Sequence, residues 1–136
     1  MQKILYKFIG NSMDFKKYES IPLPIVISDD KMKILFVNKE TEIIFGYSKE
    51  ELLDNDVKIF MVEKTKLKHD RYVDNYYGGK KPKIIGKKGK KILGETKKGE
   101  ILNLLLLIDE FIIENKRIFV ATFEKYNKKN LDKIKN

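Results

Sequence analysis

The regular part of the chain begins with two short apolar runs on either side of a polar connection. Ile25–Ser28 and Ile34–Val37 are rich in β-branched side chains, and residues 29–32 between them include two adjacent aspartates. Runs of this length and composition are typical of strands, and aspartate is a common turn residue. Pro22 and Pro24 disfavour a helix immediately before the first run. The pattern therefore predicts two consecutive strands joined by a short turn.

Two short helices are predicted directly after the second strand. Asn38 is a favoured N-cap residue and Gly46 is a favoured C-terminal residue, so a helix is expected between them. A second helix begins at the capping-box sequence of residues 48–51. We expect this second helix to bury both Leu52 and Leu53.

The rest of the chain predicts one more helix and then a series of strands. The third helix is expected at about residues 65–77, before the glycine pair 78–79. Apolar runs separated by turn residues then predict strands at 83–85, 91–93, 101–108 and 117–123. Strands, then short helices, then antiparallel strands predict an α+β domain with the helices on one face of the sheet.

The predicted strand 101–108 is unusual because it carries a single polar residue, Asn103. A strand with one face in solvent should alternate apolar and polar residues, so both faces of this strand are expected to be covered. The outer face would be covered by the N-terminal segment of the same chain, or by a second copy or partner protein. The residues expected at this contact are Ile4, Leu5, Phe8, Ile9, Leu105 and Leu107.

Length and composition indicate one domain with two flanking segments. The 136 residues suit a single domain. We expect residues 1–20 to form an N-terminal cap or flanking helix, 21–126 the domain itself, and 127–136 a basic tail. The absence of cysteine excludes disulfides, zinc fingers and thiol catalysis. The longest apolar run is far shorter than the ~20 residues that cross a bilayer, so a cytoplasmic protein without membrane contact is expected.

The formal net charge of +9 raises the question of nucleic-acid binding. Only Arg71 and Arg117 are arginines, whereas the planar arginine side chain is preferred for contacts with phosphates and base edges. We therefore expect weak attraction to acidic surfaces but no specific nucleic-acid binding.

Candidate catalytic groups do not combine into a known arrangement. The chain has a single histidine, and no serine lies near it in a nucleophile pattern. Asp29 and Asp30 are expected to form a solvated turn, and Asp109 and Glu110 to end a strand. An enzymatic function is not expected.

Three dispersed sequence motifs resemble PAS domains, which are sensor and interaction modules. The first is the opening pair of strands, with Pro24 before it and Asn38 after it; the second is FGYSKEEL at 45–52; the third is GETKKGE at 94–100. The resemblance implies a PAS fold with a five-stranded antiparallel sheet and short helices on one face. It also implies a non-catalytic module that binds a small ligand or cofactor in a pocket and transmits the change through its sheet face.

A further stretch, HDRYVDNY at 69–76 followed by IIG at 84–86, is similar to oxygen-sensing haem PAS domains of histidine kinases. This similarity implies that His69 would ligate the iron of haem b. The other residues that would contact the cofactor are Tyr72, Tyr76, Ile84, Lys90, Leu106 and Ile108, with Lys90 nearest to the place of an arginine in that group. A purely structural histidine, in an interaction or dimerisation module with no cofactor, is the alternative.

Overall fold

A five-stranded antiparallel sheet forms the centre of the structure. The computed structural model describes residues 15–64, 66–67 and 89–127. The strands are β1 (Ile25–Ser28), β2 (Ile34–Val37), β3 (Lys90–Glu95), β4 (Ile101–Ile113) and β5 (Lys116–Lys125). Their order across the sheet is β2-β1-β5-β4-β3. The predicted α+β class and the five-stranded sheet are confirmed.

Short helical segments follow β2, and the first begins and ends at the residues that the sequence indicates, whereas the second is confirmed at its capping-box start. They are α1 (Lys39–Phe45), α2 (Lys49–Leu52) and a 3-10 turn (Val57–Phe60). The Asn38 side chain caps α1 by accepting from the Thr41 N–H, and Gly46 ends the helix with a φ of 77°. Ser48 and Glu51 form the reciprocal hydrogen bonds of a capping box at the start of α2.

Two local predictions are wrong. Leu53 is 36% exposed rather than buried, because α2 ends at Leu52 and the chain turns away in an extended conformation. The left-handed residue after α2 is Asp54, with a φ of 66°. Asp109 does not end a strand, because β4 continues to Ile113 in register with β5.

Some predictions fall largely outside the described residues. Residues 63–64 and 66–67 are helical, and the remainder of the helix predicted at 65–77 is not described. The strand predicted at 83–85 also lies outside the described ranges. The domain limits at residues 21 and 126 stay a prediction. In the described residues, no helix has the length and apolar character needed to cross a membrane.

Both faces of the sheet carry an apolar cluster. We call the face that meets α1 and α2 the inner face; its fully or nearly buried residues are Val26, Ile34, Val37, Phe45, Leu52, Phe60, Leu104, Leu106 and Phe123. The outer face has its own cluster, which includes Phe15, Tyr18, Ile25, Ile27, Phe36, Phe111, Ile113, Ile118 and Val120. Because neighbouring residues of a strand point to opposite faces, each central strand contributes to both clusters.

Asn38 ties the segment before β1 to the rest of the fold. Its side chain is fully buried. The oxygen accepts from the Ile25 N–H at 2.9 Å, and the amide nitrogen donates to the carbonyl oxygen of Leu23 at 2.8 Å. Longer contacts of 3.4 and 3.3 Å join the same nitrogen to the carbonyl oxygens of Tyr18 and Ile21. One side chain therefore connects the flanking segment, β1 and α1.

Candidate functional site

The space between the helices and the inner face of the sheet is the candidate ligand site. Three phenylalanines from different elements meet there. The ring centroid of Phe45 lies 4.4 Å from that of Phe60 and 5.5 Å from that of Phe123. The rings of Phe60 and Phe123 are 6.3 Å apart and nearly edge to face. Such tilted contacts favour aromatic packing beyond the burial of area alone.

The described part of this interior is apolar. Its buried polar residues are Ser28, Asn38 and Thr41, and none of the buried residues is charged. Among the described residues, no group of three acidic or histidine side chains is placed to hold a metal ion. These residues can bind a ligand by apolar and aromatic contact, and they supply no acid or base there.

Gly94 lets β3 approach the aromatic residues closely. A Cβ atom at this position would lie 2.7 Å from Leu104 Cδ1 and 3.4 Å from both Phe45 Cε1 and the carbonyl oxygen of Phe60. The backbone of Met61 forms a β-bridge to Gly94 at the same point. The absence of a side chain at 94 therefore allows the 3-10 turn that carries Phe60 to lie against the edge of the sheet.

The β3–β4 hairpin is fastened to the junction between α1 and α2. The Lys97 N–H donates to the carbonyl oxygen of Phe45 at 2.9 Å, and Lys97 Nζ lies 2.6 Å from Glu51 Oε2. The hydrogen bond from Lys97, together with the backbone N–H of Ser48, lowers the pKa of Glu51. The GETKKGE and FGYSKEEL motifs of the sequence thus meet in space.

Of the residues proposed to contact a cofactor, three belong to the described part of the chain. Leu106 is buried and Ile108 half-buried, and both belong to the inner-face cluster. Lys90 is exposed on β3, directly opposite Leu106 in the sheet register. The remaining four, His69, Tyr72, Tyr76 and Ile84, lie outside the described residues. Two of the predicted wall residues therefore face the interior, and the predicted iron ligand is untested.

The outer face is covered on one half of the sheet and exposed on the other. Phe15 and Tyr18 pack on the outer-face cluster near β1 and β2. Around β3 and β4, Leu93 is 45%, Ile101 53% and Leu107 39% exposed. Ile101 and Leu107 are therefore not covered by the described residues of the single chain, and coverage by the N-terminal segment or by a second copy stays a prediction.

Leu105 differs from its neighbours on this face, because it is 8% exposed. A Cβ atom at Gly89 would lie 2.7 Å from Leu105 Cγ, so the chain before β3 already covers this side chain. Residues Ile4, Leu5, Phe8 and Ile9, which were expected to cover this face, are not among the described residues.

Phe15 and Tyr18 were not identified by sequence reasoning as part of the covering segment. Their spacing of three residues, one helical turn, was the available signal. Burial, and then the nearby charge of Asp109, raise the pKa of the Tyr18 hydroxyl. Tyr18 is therefore held neutral against the outer face.

Comparisons with known proteins agree with this architecture. A family model described as the PAS fold matches residues 16–123. A probable serine/threonine-protein kinase of Dictyostelium discoideum is 34% identical over 112 residues, covering 82% of this chain. Sensor protein FixL of Bradyrhizobium diazoefficiens is 30% identical over 91 residues, covering 67% of this chain.

A solved structure shows the same fold. The crystal structure of the PAS domain of an HTR-like protein from Haloarcula marismortui superposes with a TM-score of 0.64 at 19% identity, covering 80% of this chain and 85% of that one. The two curated relatives are much longer proteins, since the matched region spans only 7% of the kinase and 18% of FixL.

Proposed function

The chain belongs to the PAS family, and from that premise we propose that it is a non-catalytic sensor and signal-transduction module. PAS domains commonly serve in signal transduction and are generally not catalytic. In this proposal a small ligand or cofactor binds against the inner-face cluster. The change in packing then passes through the sheet to its outer face. A cytoplasmic location and the lack of specific nucleic-acid binding stay predictions.

The observation that supports this proposal is the presence of two apolar clusters on one set of strands. On β1, Val26 belongs to the inner cluster, whereas Ile25 and Ile27 belong to the outer cluster. On β5, Phe123 lies inside and Val120 outside. Because packed side chains leave few voids, a shift of Phe123 displaces the strand that also carries Val120. The strands therefore couple the candidate site to the outer surface.

Amide chemical shifts can test this coupling directly. The inner substitution Phe60→Leu should change the amide shifts of outer-face residues Ile27 and Val120, because it disturbs the packing of the strands from within. Ile112→Leu, at a position that is 49% exposed, is the matched control and should leave them unchanged. Outer-face shifts that respond equally to both substitutions, or to neither, would contradict transmission through the sheet.

Native mass spectrometry of the purified chain tests the ligand itself. A bound molecule would raise the mass above the 16.1 kDa of the polypeptide under non-denaturing conditions and leave on denaturation. A mass that equals the polypeptide under both conditions, with the interior cluster intact, would favour the interaction module instead.

A second candidate function is haem-based gas or redox sensing through His69. It is supported by the similarity to Sensor protein FixL and by the inward-facing, apolar Leu106 and Ile108. Apolar side chains of this kind suit the wall of a dry haem pocket. When bound, haem would supply an iron centre for a diatomic gas or a change of redox state. In that case His69 would hold the iron, and Lys90 at the rim could pair with a propionate as a point charge.

Titration with haemin separates these two candidates. The chain contains one histidine, so an imidazole-ligated spectrum must come from His69. Haem sensing predicts a Soret band that shifts or disappears in His69→Ala but persists in Lys90→Met. No Soret band, or one that His69→Ala does not alter, would rule out His69 as the ligand.

The exposed part of the outer face supports a protein contact, with a second copy as the simplest partner. Leu93, Ile101 and Leu107 lie on the same side of the β3–β4 pair, along its length, and remain exposed in the single chain. Leu107→Glu is the variant to test by light scattering, because Leu105 is already covered within the chain. A dimer of the parent chain that Leu107→Glu leaves intact would place the contact elsewhere.

A further inference from the structure

An apolar groove lies where the chain approaches β1 and leaves β5, and we call it the exit groove. It has a volume of about 310 Å³, and its apolar wall consists of Leu23, Pro24, Ile43, Ile44 and Phe123. This volume is at the lower end of the roughly 300–1,000 Å³ of ligand pockets, which suits a few side chains better than a large ligand.

The exposed side chain of Ile43 at the groove favours the binding of an apolar group. It is 65% exposed on α1, whereas Thr41 and Phe45 of the same helix are buried on the opposite side. Covering an exposed isoleucine removes apolar area from water and is favourable by roughly 25 cal/mol for each Å². The outward side of α1 is therefore an apolar surface next to a concavity.

We propose that residues 128–136 of this chain dock in the exit groove through Leu131 and Ile134. The described part of the chain ends at Asn127, two residues after Lys125, which itself lines the groove. Four residues of extended chain span up to about 13 Å, at roughly 3.3 Å each, so Leu131 can fold back onto α1.

The charges of the segment and the groove are complementary. Residues 128–136 carry four lysines and one aspartate. The charged residues that line the groove are Glu40, Glu124 and Lys125, so the lining is net negative, and neither glutamate forms an ion pair within the described ranges. Leu131 and Ile134 are the apolar residues of the segment, and their spacing of three places them on one side of a helical turn. The segment thus offers two apolar side chains between lysines to an apolar groove between carboxylates.

The groove shares a side chain with the interior site. Phe123 lines the groove and also contacts Phe45 and Phe60, with ring centroids 5.5 and 6.3 Å away. A ligand that moves this ring would change the wall against which the segment packs. Docking of the segment would therefore respond to the state of the interior, by a route that does not involve the outer sheet face.

Disulfide trapping tests the docking, and because the chain has no native cysteine, only the introduced cysteines can pair. The double variant Ile43→Cys with Leu131→Cys should form an intramolecular disulfide under mild oxidation. Two control pairs keep Leu131→Cys and move the other cysteine to Leu93 or Ile112, which are 45% and 49% exposed at other places on the sheet. We expect the Ile43 pair to close at least about tenfold faster than both controls, because docking raises the effective concentration of the two thiols.

Each other outcome of the trapping overturns the proposal. Equal rates in all three pairs would mean that the segment has no preferred position. The fastest closure with Leu93→Cys would place the segment on the outer sheet face. A covalent dimer as the main product of the Ile43 pair would mean that the occupant comes from a second copy.

A comparison of amide spectra gives an independent measurement. A chain ending at Asn127 retains every described residue and lacks only the segment proposed to dock. Its amide chemical shifts should therefore differ from those of the 136-residue chain at Ile43, Ile44 and Phe123. The amides of Leu93 and Ile112 should be unchanged. Identical groove shifts in the two chains would overturn the proposal even if the cysteine variants failed to fold.

Discussion

Asn38 allows a quantitative test of how the flanking segment is held to the domain. Asn38→Ala removes a fully buried amide. Its oxygen accepts from the Thr41 N–H at 3.2 Å and from the Ile25 N–H at 2.9 Å, and its nitrogen donates to the Leu23 carbonyl oxygen at 2.8 Å. Alanine leaves all three backbone groups without this partner.

The expected loss can be worked out from these contacts. Replacing an N-cap asparagine by alanine costs about 1 kcal/mol. A buried donor left unsatisfied costs a further ~1 kcal/mol or more, and this applies to the Ile25 N–H. The Leu23 carbonyl oxygen is only part-buried, so water can replace the lost bond at a smaller cost. We therefore expect Asn38→Ala to lower the free energy of unfolding by about 2 kcal/mol, a large part of the roughly 5–15 kcal/mol typical of domains.

Urea unfolding followed by circular dichroism measures this loss. Asn103→Ala is the matched control because Asn103 is exposed on β4, and it should change stability by no more than about 0.5 kcal/mol. Asn38→Ser keeps a capping oxygen, but its side chain is too short to reach Leu23. Its loss of stability should therefore lie between those of Asn103→Ala and Asn38→Ala. A loss of less than about 1 kcal/mol for Asn38→Ala, the value of the cap alone, would mean that the bonds to Ile25 and Leu23 contribute nothing to stability.

Three further predictions concern other contacts of the domain. Gly94→Ala places a Cβ atom 2.7 Å from Leu104 Cδ1 and should cost about 2–3 kcal/mol in thermal unfolding. A Cβ atom added by Gly99→Ala has no other atom within 4 Å, so this variant should cost about 1 kcal/mol, from the φ of 89° alone. Equal losses of stability at the two glycines would contradict the close packing at Gly94. Lys97→Met removes an exposed ion pair but keeps the backbone bond to α1, so it should cost little stability, and the loss should become smaller as salt is added. A large or salt-independent loss would contradict a weak, exposed ion pair. The raised pKa of Tyr18 adds stability that is fully present below the ordinary value of 10.0 and is lost as the pH rises through the folded-state pKa. The stability of Tyr18→Phe should therefore fall less than that of the parent chain above pH 10. Parallel profiles of stability against pH for the two proteins would contradict this.

Several features of the fold could be predicted because their causes lie within a few residues. Asn38 and Gly46 define α1, since a side-chain cap and a left-handed glycine act on the turn next to them. Gly99 enables the β3–β4 turn in the same way, with its positive φ. The predicted burial of Leu53 was wrong because the length of α2, a single turn, depends on the path that the chain takes after it. The predicted strand end at Asp109 was wrong because β5 pairs with β4 beyond that point, and this pairing outweighs the local polar residues.

The candidate site could be predicted only in part. The inward positions of Leu106 and Ile108 follow from strand alternation once the sheet is known. The meeting of Phe45, Phe60 and Phe123 joins residues up to 78 positions apart, so no local pattern indicates it. The covering role of Tyr18 was also missed, although its spacing of three residues from Phe15 was a local signal.

Local sequence signals are enough to predict β1 to β5, α1 and α2 in their order, the caps and turns that bound them, and the family resemblance. These features depend on backbone preferences and hydrogen bonds between neighbouring residues. Which apolar residues are covered is set by the tertiary structure, because coverage depends on segments that are distant along the chain. Asn38 shows both levels: its capping of α1 is local, whereas its bond to Leu23 forms only once the flanking segment has folded against β1.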